Sequence, residues 1–284
     1  MNTLQQKIDF AVILRVKNAN PNGDPLNGNR PRADYANYGE MTDVCIKRKI
    51  RDRLLESGHG IFVQSDDRKI DNAKSLRARA EDALGNKLGS DQTAKLACER
   101  WLDVRAFGQL FALKSSRRGP KKDEGSNQDG DTGVSIGIRG PVTVQSAFSV
   151  APIDVSSVQI TKSVSGESDT GKRSSDTMGM KHRVDEGVYV FFGSMNPQLA
   201  ERTGFSDNDA DAIKRTLPKL FENDESSARP AGSMEVLKVI WWEHNCKAGQ
   251  YSSAKVHRTL TVKPDGTFVL TKLENLEPEI TDGF

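Results

Sequence analysis

Five asparagines, Asn18, Asn20, Asn22, Asn27 and Asn29, are spaced among glycines and prolines in the run NANPNGDPLNGNRPR. Each side-chain amide carries both donors and acceptors, a mixture suited to sugar hydroxyls, phosphate oxygens and base edges. Glycines beside them let backbone N–H groups approach a phosphate closely. The same composition builds plain Asx turns, so on these residues alone a binding loop and a structural turn stand level. Arg30 and Arg32 close the run. Lys47, Arg48, Lys49 and Arg51 follow, four bases within five residues, with only Asp52 to offset them nearby. A solvated helix face would explain that cluster, but the arrival of Arg30 and Arg32 from the adjoining loop favours a helix that binds phosphates.

A second basic cluster, Lys181, His182 and Arg183, ends a polar stretch, where His182 could touch phosphates or serve as a general base. An endoribonuclease would use His59 or His182 as that base, with Lys181 stabilising charge. His59, His244 and His257 show no metal spacing with one another or with paired carboxylates. GESDTGKR, Gly166 to Arg173, matches the phosphate-cradling G-x-x-x-x-G-K, yet it places Arg173 where magnesium needs a Ser or Thr, and no helical pattern follows. It reads as a chance match. Cys45, Cys98 and Cys246 are far apart, which excludes a disulfide framework and a zinc site and suggests a reducing compartment. No G-x-S-x-G, activated cysteine setting or close carboxylate pair is present. The expectation is a non-catalytic protein without metal or cofactor that grips the backbone of single-stranded RNA.

These groups need a scaffold, and the periodicities supply one. Ile8, Phe10, Val12, Leu14 and Val16 alternate as in a half-buried strand, which leads into the asparagine loop. Thr42 then caps a helix to Ser57 in which Ile46, Ile50 and Leu54 recur every four residues and Gly58 is the stop. Short helices are expected near Lys74 to Leu84 and Thr93 to Leu102, followed by a mobile loop at 114–133 with almost nothing to bury. Val134 to Val150 reads as a strand bent at Gly140-Pro141, and VYVFFGSM from Val188 as a central strand. Ser206 and Asp209 resemble a capping box for a helix to about Phe221, kinked by Pro218. Met234 to Trp242 gives a fourth strand and Val256 to Leu270 a terminal hairpin about Pro264-Asp265-Gly266. Trp101, Trp241, Trp242, Phe107, Phe191 and Phe192 lie on elements that need core residues. With no RNP-like signature on the strands, recognition should rest on backbone and shape.

Without its insertions the order is strand, helix, strand, strand, helix, strand, the βαββαβ pattern of ferredoxin-like, RNA-recognition folds of the α+β class. With 284 residues, 36% of them hydrophobic, and a mean hydropathy of −0.59, the chain should carry large excursions from its core. A net charge of only +2 argues against indiscriminate coating of nucleic acid and leaves room for a local basic groove. The opening segment has no basic n-region and no run approaches a membrane span, so a cytoplasmic, soluble protein is expected, with no membrane partner.

NANPNGDP after the first strand, DVRAFG from Asp103, IRGPV from Ile138, HRVDEGVYVFFGSMNP from His182 and ARPAG from Ala228 together resemble one family. It is the backbone subunit, of the Cas seven type in the repeat-associated mysterious protein (RAMP) superfamily, of type I CRISPR surveillance complexes, and the match looks like the type I-C branch. The resemblance implies a modified RNA-recognition palm with an inserted finger-like domain and a protruding thumb. The palm's first half would be 1–57, the finger-like insertion 58–133, a palm strand 134–152, the thumb 153–187, and the palm's second half with a C-terminal hairpin and tail 188–284. Copies would polymerise along a guide RNA and present it for pairing with a target DNA strand. Implied partners are further copies of the chain, an end-capping processing subunit, and the large and small subunits of the complex. The family's basic first helix falls on Lys47, Arg48, Lys49 and Arg51, its loop on Asn18 to Arg32, and its thumb wedge on Met178 and Met180.

Overall fold

The computed structural model describes residues 2–113, 134–161 and 178–284. The expected mobile loop at 114–133 and the GESDTGKR segment lie outside the described residues. In chain order the elements are β1 (Ile8–Ala19), β2 (Gly23–Asp24), β3 (Arg30–Pro31), β4 (Tyr38–Met41), α1 (Asp43–Glu56), α2 (Leu76–Leu84), α3 (Thr93–Arg100), α4 (Leu102–Phe107), β5 (Gly108–Leu113), β6 (Val134–Arg139), β7 (Val142–Val144), β8 (Ala147–Pro152) and β9 (Val155–Thr161). They continue with β10 (Met178–Met195), α5 (Pro197–Thr203), α6 (Asp207–Thr216), β11 (Met234–Glu243), α7 (Ser253–His257), β12 (Leu260–Val262), β13 (Phe268–Leu270) and β14 (Glu279–Asp282).

β1 lies inside a large antiparallel sheet of order β14-β11-β1-β10-β8-β4, with β7 and β9 also paired to β10. Its alternation is used on both faces. Phe10, Val12, Leu14 and Val16 join α1 and α6 in the main core, whereas Ala11 and Ile13 meet the C-terminal segment around Val256, Leu260 and Leu276. The helices are where their signals put them. Thr42 accepts from the Cys45 N–H, and Ile46, Ile50 and Leu54 are fully buried, each stabilising by roughly 1.5–3 kcal/mol. Ser206 and Asp209 form the reciprocal capping box of α6, and the chain tightens into a 3-10 turn at Leu217–Lys219, around Pro218.

Two expectations change. The stretch 134–152 is not one strand: β6 pairs with β5 in a separate ladder, and only β7 and β8 join the sheet. Gly140 lies so close to the Ala106 carbonyl oxygen that a Cβ would come within 2.1 Å, so the chain changes direction there and Pro141 follows without an N–H to donate. The third strand starts at Met178 rather than Val188, because β10 first pairs with β9 in a projecting two-stranded ribbon. The acidic C-terminal tail adds β14 beside β11, where Lys214 holds Glu279 at 2.7 Å and Lys238 meets Asp282. α5, β4 and α7 had no sequence signal strong enough to propose them.

Three buried carboxylates, Asp103, Asp209 and Asp9, join the peripheral parts to this frame. Asp103 accepts from the Phe62 N–H at 2.7 Å, the Val63 N–H at 3.0 Å and Arg51 Nε at 2.9 Å. It thereby fastens α1 to a satellite core of Phe62, Trp101 and Phe111. Arg105, two residues on, donates to both carboxylate oxygens of Asp209 in the capping box, through Nε at 2.9 Å and Nη2 at 2.7 Å. Asp9 on β1 accepts from His244 Nε2 at 2.9 Å beside Lys7 at 3.1 Å, while the Gln250 N–H donates to His244 Nδ1 at 2.9 Å. The ring proton of His244 is therefore on Nε2, facing Asp9.

Replacing Asp103 by Ala strands two backbone N–H groups and the Arg51 guanidinium, and should lower stability by about 3–5 kcal/mol in urea unfolding. Burial pushes the Asp9 carboxyl up, but hydrogen bonds from His244, His257 and Ser253 and the charge of Lys7 outweigh it and hold it far below the usual range. A carboxyl lowered in the folded chain contributes stability that is complete above its unfolded value, near 4, and is lost as pH falls through the folded value. Urea midpoints should therefore fall progressively from about pH 5 to about pH 3. An Asp9→Asn variant should start less stable and show a shallower decline.

Candidate nucleic-acid interface

The basic residues of α1 are committed inside the fold. Lys49 is 1% exposed and its ammonium meets Asp224, which also accepts from Arg48 at 3.1 Å and Arg229 at 3.0 Å. Burial lowers the Lys49 pKa, with Asp224 opposing that shift. Burial alone would raise Asp224, but Lys49, Arg229 and Arg48 outweigh it and hold the carboxyl below its ordinary value. Arg51 is paired with Asp103 and lies over the Phe107 ring at 5.1 Å. Lys47 pairs with Asp43 at 2.9 Å and Arg48 also with Asp52 at 2.6 Å, both one helical turn away. The expectation that Lys49 meets a phosphate is corrected by its burial, and Arg51 is almost as enclosed. Only Lys47 and Arg48 keep part of their side chains at the surface, at 23% and 36% exposure. The four bases meet four acids, Asp43 and Asp52 on α1 itself and Asp103 and Asp224 from elsewhere in the fold.

The asparagine loop is structural and presenting at once. Asn22 turns inward, its Oδ1 accepting from the Thr42 N–H at 2.9 Å and the Thr42 hydroxyl at 3.0 Å, so it locks the loop to the cap of α1. Asn20 is buried: its N–H donates to the Ala228 carbonyl at 2.8 Å and its Nδ2 to the Asn29 carbonyl at 2.7 Å. Both side chains, expected to meet RNA, thus make contacts that hold the loop to the fold. Asn18 is exposed, and its φ of 54° places it in the left-handed region that asparagine tolerates, at the point where β1 turns into the loop. Arg30 and Arg32 are at the far side of the loop, where Arg32 Nη2 lies 3.4 Å from Asp24.

The ribbon of β9 and β10 comes to that side. Directly paired residues share a face, and successive residues alternate. With His182 opposite Ser157, Met180 opposite Gln159 and Met178 opposite Thr161, one face carries His182, Met180 and Met178. Lys181 and Arg183 are on the opposite face with Val158 and Ser156, so the Lys-His-Arg triplet does not act as a single patch. Met178 and Met180 are 61% and 55% exposed, as a wedge would require. Arg30 Nη1 donates to Ser157 Oγ at 3.1 Å, and Ser157 Oγ is 2.8 Å from His182 Nδ1. Loop and ribbon, some 120 residues apart in sequence, thus meet at Arg30, Ser157 and His182. Beside this junction is an open polar cleft of about 430 Å3 lined by Asn27, Arg30, Arg32, Asn37, Asp154 and neighbours.

His59 lines a separate cleft with Arg53, Arg215 and Lys219, away from these residues. Among the described residues no cluster of His, Cys, Asp or Glu could hold a metal. Trp241 and Trp242 are buried, as is Phe191, while Phe192 stacks on His257 at 4.7 Å beneath the C-terminal segment. Sequence reasoning missed Ser157 and Asp224. Ser157 is visible only once the ribbon register puts it opposite His182, and Asp224 lies in an irregular stretch with no period to single it out.

A family model described as CRISPR-associated protein Cas7 matches residues 6–281. A curated protein of Haloferax volcanii, CRISPR-associated protein Cas7, is 23% identical over 290 residues, covering 99% of this chain and 82% of its own length. A solved chain of a CRISPR RNA-guided surveillance complex, pre-nicking, is similar with a TM-score of 0.49 at 14% identity, over 83% of this chain and 78% of that one. A second, from a CRISPR RNA-guided surveillance complex, gives 0.47 at 18% identity, over 92% of this chain and 77% of that one.

Lys49→Met should leave affinity for single-stranded RNA within about twofold of wild type, because a buried, paired ammonium makes no phosphate contact. Asp224→Ala, which leaves Lys49 buried without its partner, should cost about 3–5 kcal/mol in urea unfolding. Fluorescence anisotropy and denaturation of the two variants measure both outcomes.

Proposed function

The chain belongs to the Cas7 family of CRISPR-associated proteins, and we propose that it is a non-catalytic guide-RNA-binding subunit of the type I-C branch. Copies would assemble along the spacer of the guide as a helical backbone and leave the bases free to pair with a target DNA strand. The observation that carries this reading is the junction of the loop after β1 with the β9–β10 ribbon. It joins exposed Asn18 and half-buried Arg30 and Arg32 on one wall to His182, Met178 and Met180 on the other. That combination suits a sugar-phosphate backbone held by donors, with apolar side chains displacing a base.

In this reading the sheet with α1 and α6 is the RNA-recognition-like palm, the satellite core about Phe62 and Trp101 the finger-like insertion, and the ribbon the base of the thumb. The proposal extends to cytoplasmic assembly with a processing subunit at one end and large and small subunits alongside. The sheet face opposite α1 and α6 supports recognition through backbone rather than stacked bases, since the C-terminal segment with α7 covers Ala11, Ile13, Ile240 and Trp242 on that side. An endoribonuclease using His182 as base and Lys181 as charge stabiliser is disfavoured by the ribbon register, which puts the two on opposite faces.

Binding to single-stranded RNA should fall for Arg30→Ala and Arg32→Ala, and each lost phosphate contact should reduce the slope of log affinity against log salt by about 0.7. RNA added to wild-type protein should produce a multi-copy assembly in size-exclusion chromatography, and repeat RNA should stay intact on incubation. An unchanged salt slope in both arginine variants would remove the loop from the binding surface, and cleavage lost in His182→Ala would overturn the non-catalytic reading.

A further inference from the structure

The contact between loop and ribbon fixes more than their distance. A guanidinium only donates, so Ser157 Oγ accepts from Arg30 Nη1 at 3.1 Å. One hydroxyl proton remains to Ser157, and the heavy atom next to it, at 2.8 Å, is His182 Nδ1. The arrangement that uses that proton within the chain has Ser157 donating to Nδ1. The imidazole then carries its own proton on Nε2.

We propose that Ser157 is a positioning residue which, held by Arg30, sets the His182 tautomer and ring orientation so that Nε2–H is offered as a donor to a sugar or phosphate oxygen of single-stranded RNA. This rests on the RNA-binding reading above and deepens it. The offered donor is on the ribbon face that carries Met180 and Met178, with Gln159 between Ser157 and Thr161 on the partner strand. Gln159 Nε2 donates to the Met178 sulfur at 2.7 Å, so the methionine nearest the ribbon's far end is also held. A donor and two exposed methionines spaced two residues apart present polar and apolar contacts at strand spacing, about 7 Å per step. The relay also means that Arg30 acts in two ways. Its charge faces the guide, and its hydrogen bond to Ser157 makes ribbon placement depend on loop placement.

The full-length protein labelled with 15N-histidine tests this. The two ring nitrogens of His182, assigned by signals lost in His182→Ala, should report the Nε2–H tautomer in wild type, a mixed or Nδ1–H state in Ser157→Ala, and wild-type behaviour in Ser157→Thr, which keeps the hydroxyl. Affinity for a uridine-only single-stranded RNA should fall about fivefold in Ser157→Ala and recover in Ser157→Thr. In a His182→Ala background, Ser157→Ala should cost clearly less than it does in wild type, since the loss through His182 is already taken and only the hold on Arg30 remains. An unchanged tautomer in Ser157→Ala, or an additive loss in the double variant, would overturn the relay while leaving RNA binding in place. Failure of the wild-type protein to bind RNA would instead overturn the binding reading, and with it the role of His182 as a donor to RNA.

Discussion

Asp224 is the constraint from which the architecture of the interface follows. A carboxylate buried with a lysine ammonium and two guanidiniums must keep those partners or leave a charge stranded at a cost of several kcal/mol. Satisfying it brings Arg48 and Lys49 of α1 together with Arg229 of the irregular stretch before β11. That stretch offers the Ala228 carbonyl to Asn20, Asn20 fastens Asn29, and Asn22 fastens Thr42 at the start of α1. The loop is therefore closed at three points on a frame that is itself pinned by charge. Its inner residues Asn20 and Asn22 hold it to the frame, while its outer arginines reach Asp24 and Ser157 at its edge.

The same economy shows where a chain of net charge +2 places its bases. Most of its clustered bases are consumed in pairs that set geometry: Arg51 on Asp103, Arg105 on Asp209, Arg48 and Lys49 on Asp224. Among the described residues, Arg30 and His182 meet at Ser157 where loop and ribbon join, beside a cleft that contains acids as well as bases. Such a surface favours a backbone presented in one path over nonspecific coating. The covered sheet face acts in the same direction, because a stacking platform there is excluded by the C-terminal segment packed over it.

The secondary structure was largely legible in the amino-acid order. The alternation from Ile8, the cap at Thr42 with its four-residue stripe, the Ser206 capping box and the Met234 to Trp242 run are local signals, and local hydrogen bonding and burial obey them. The family motifs could be quoted without knowing their roles, which prove to be largely structural: Asp103 and Arg105 of DVRAFG and Arg229 of ARPAG are ion-pair anchors. The destination of a base was not legible. Lys49 and Lys181 are both lysines in basic runs, yet one is enclosed against Asp224 and the other is exposed on a projecting ribbon.

The sequence by itself determined that five asparagines and two arginines follow a core strand, and which helices and strands carry the basic clusters. Tertiary structure alone decided which asparagines turn inward, which cations are spent on buried acids, and that Ser157 stands between Arg30 and His182. The physical reason is range. Caps and periodicities are set by neighbours within a few residues, whereas ion pairs and strand registers depend on partners brought together only when the chain has closed its core.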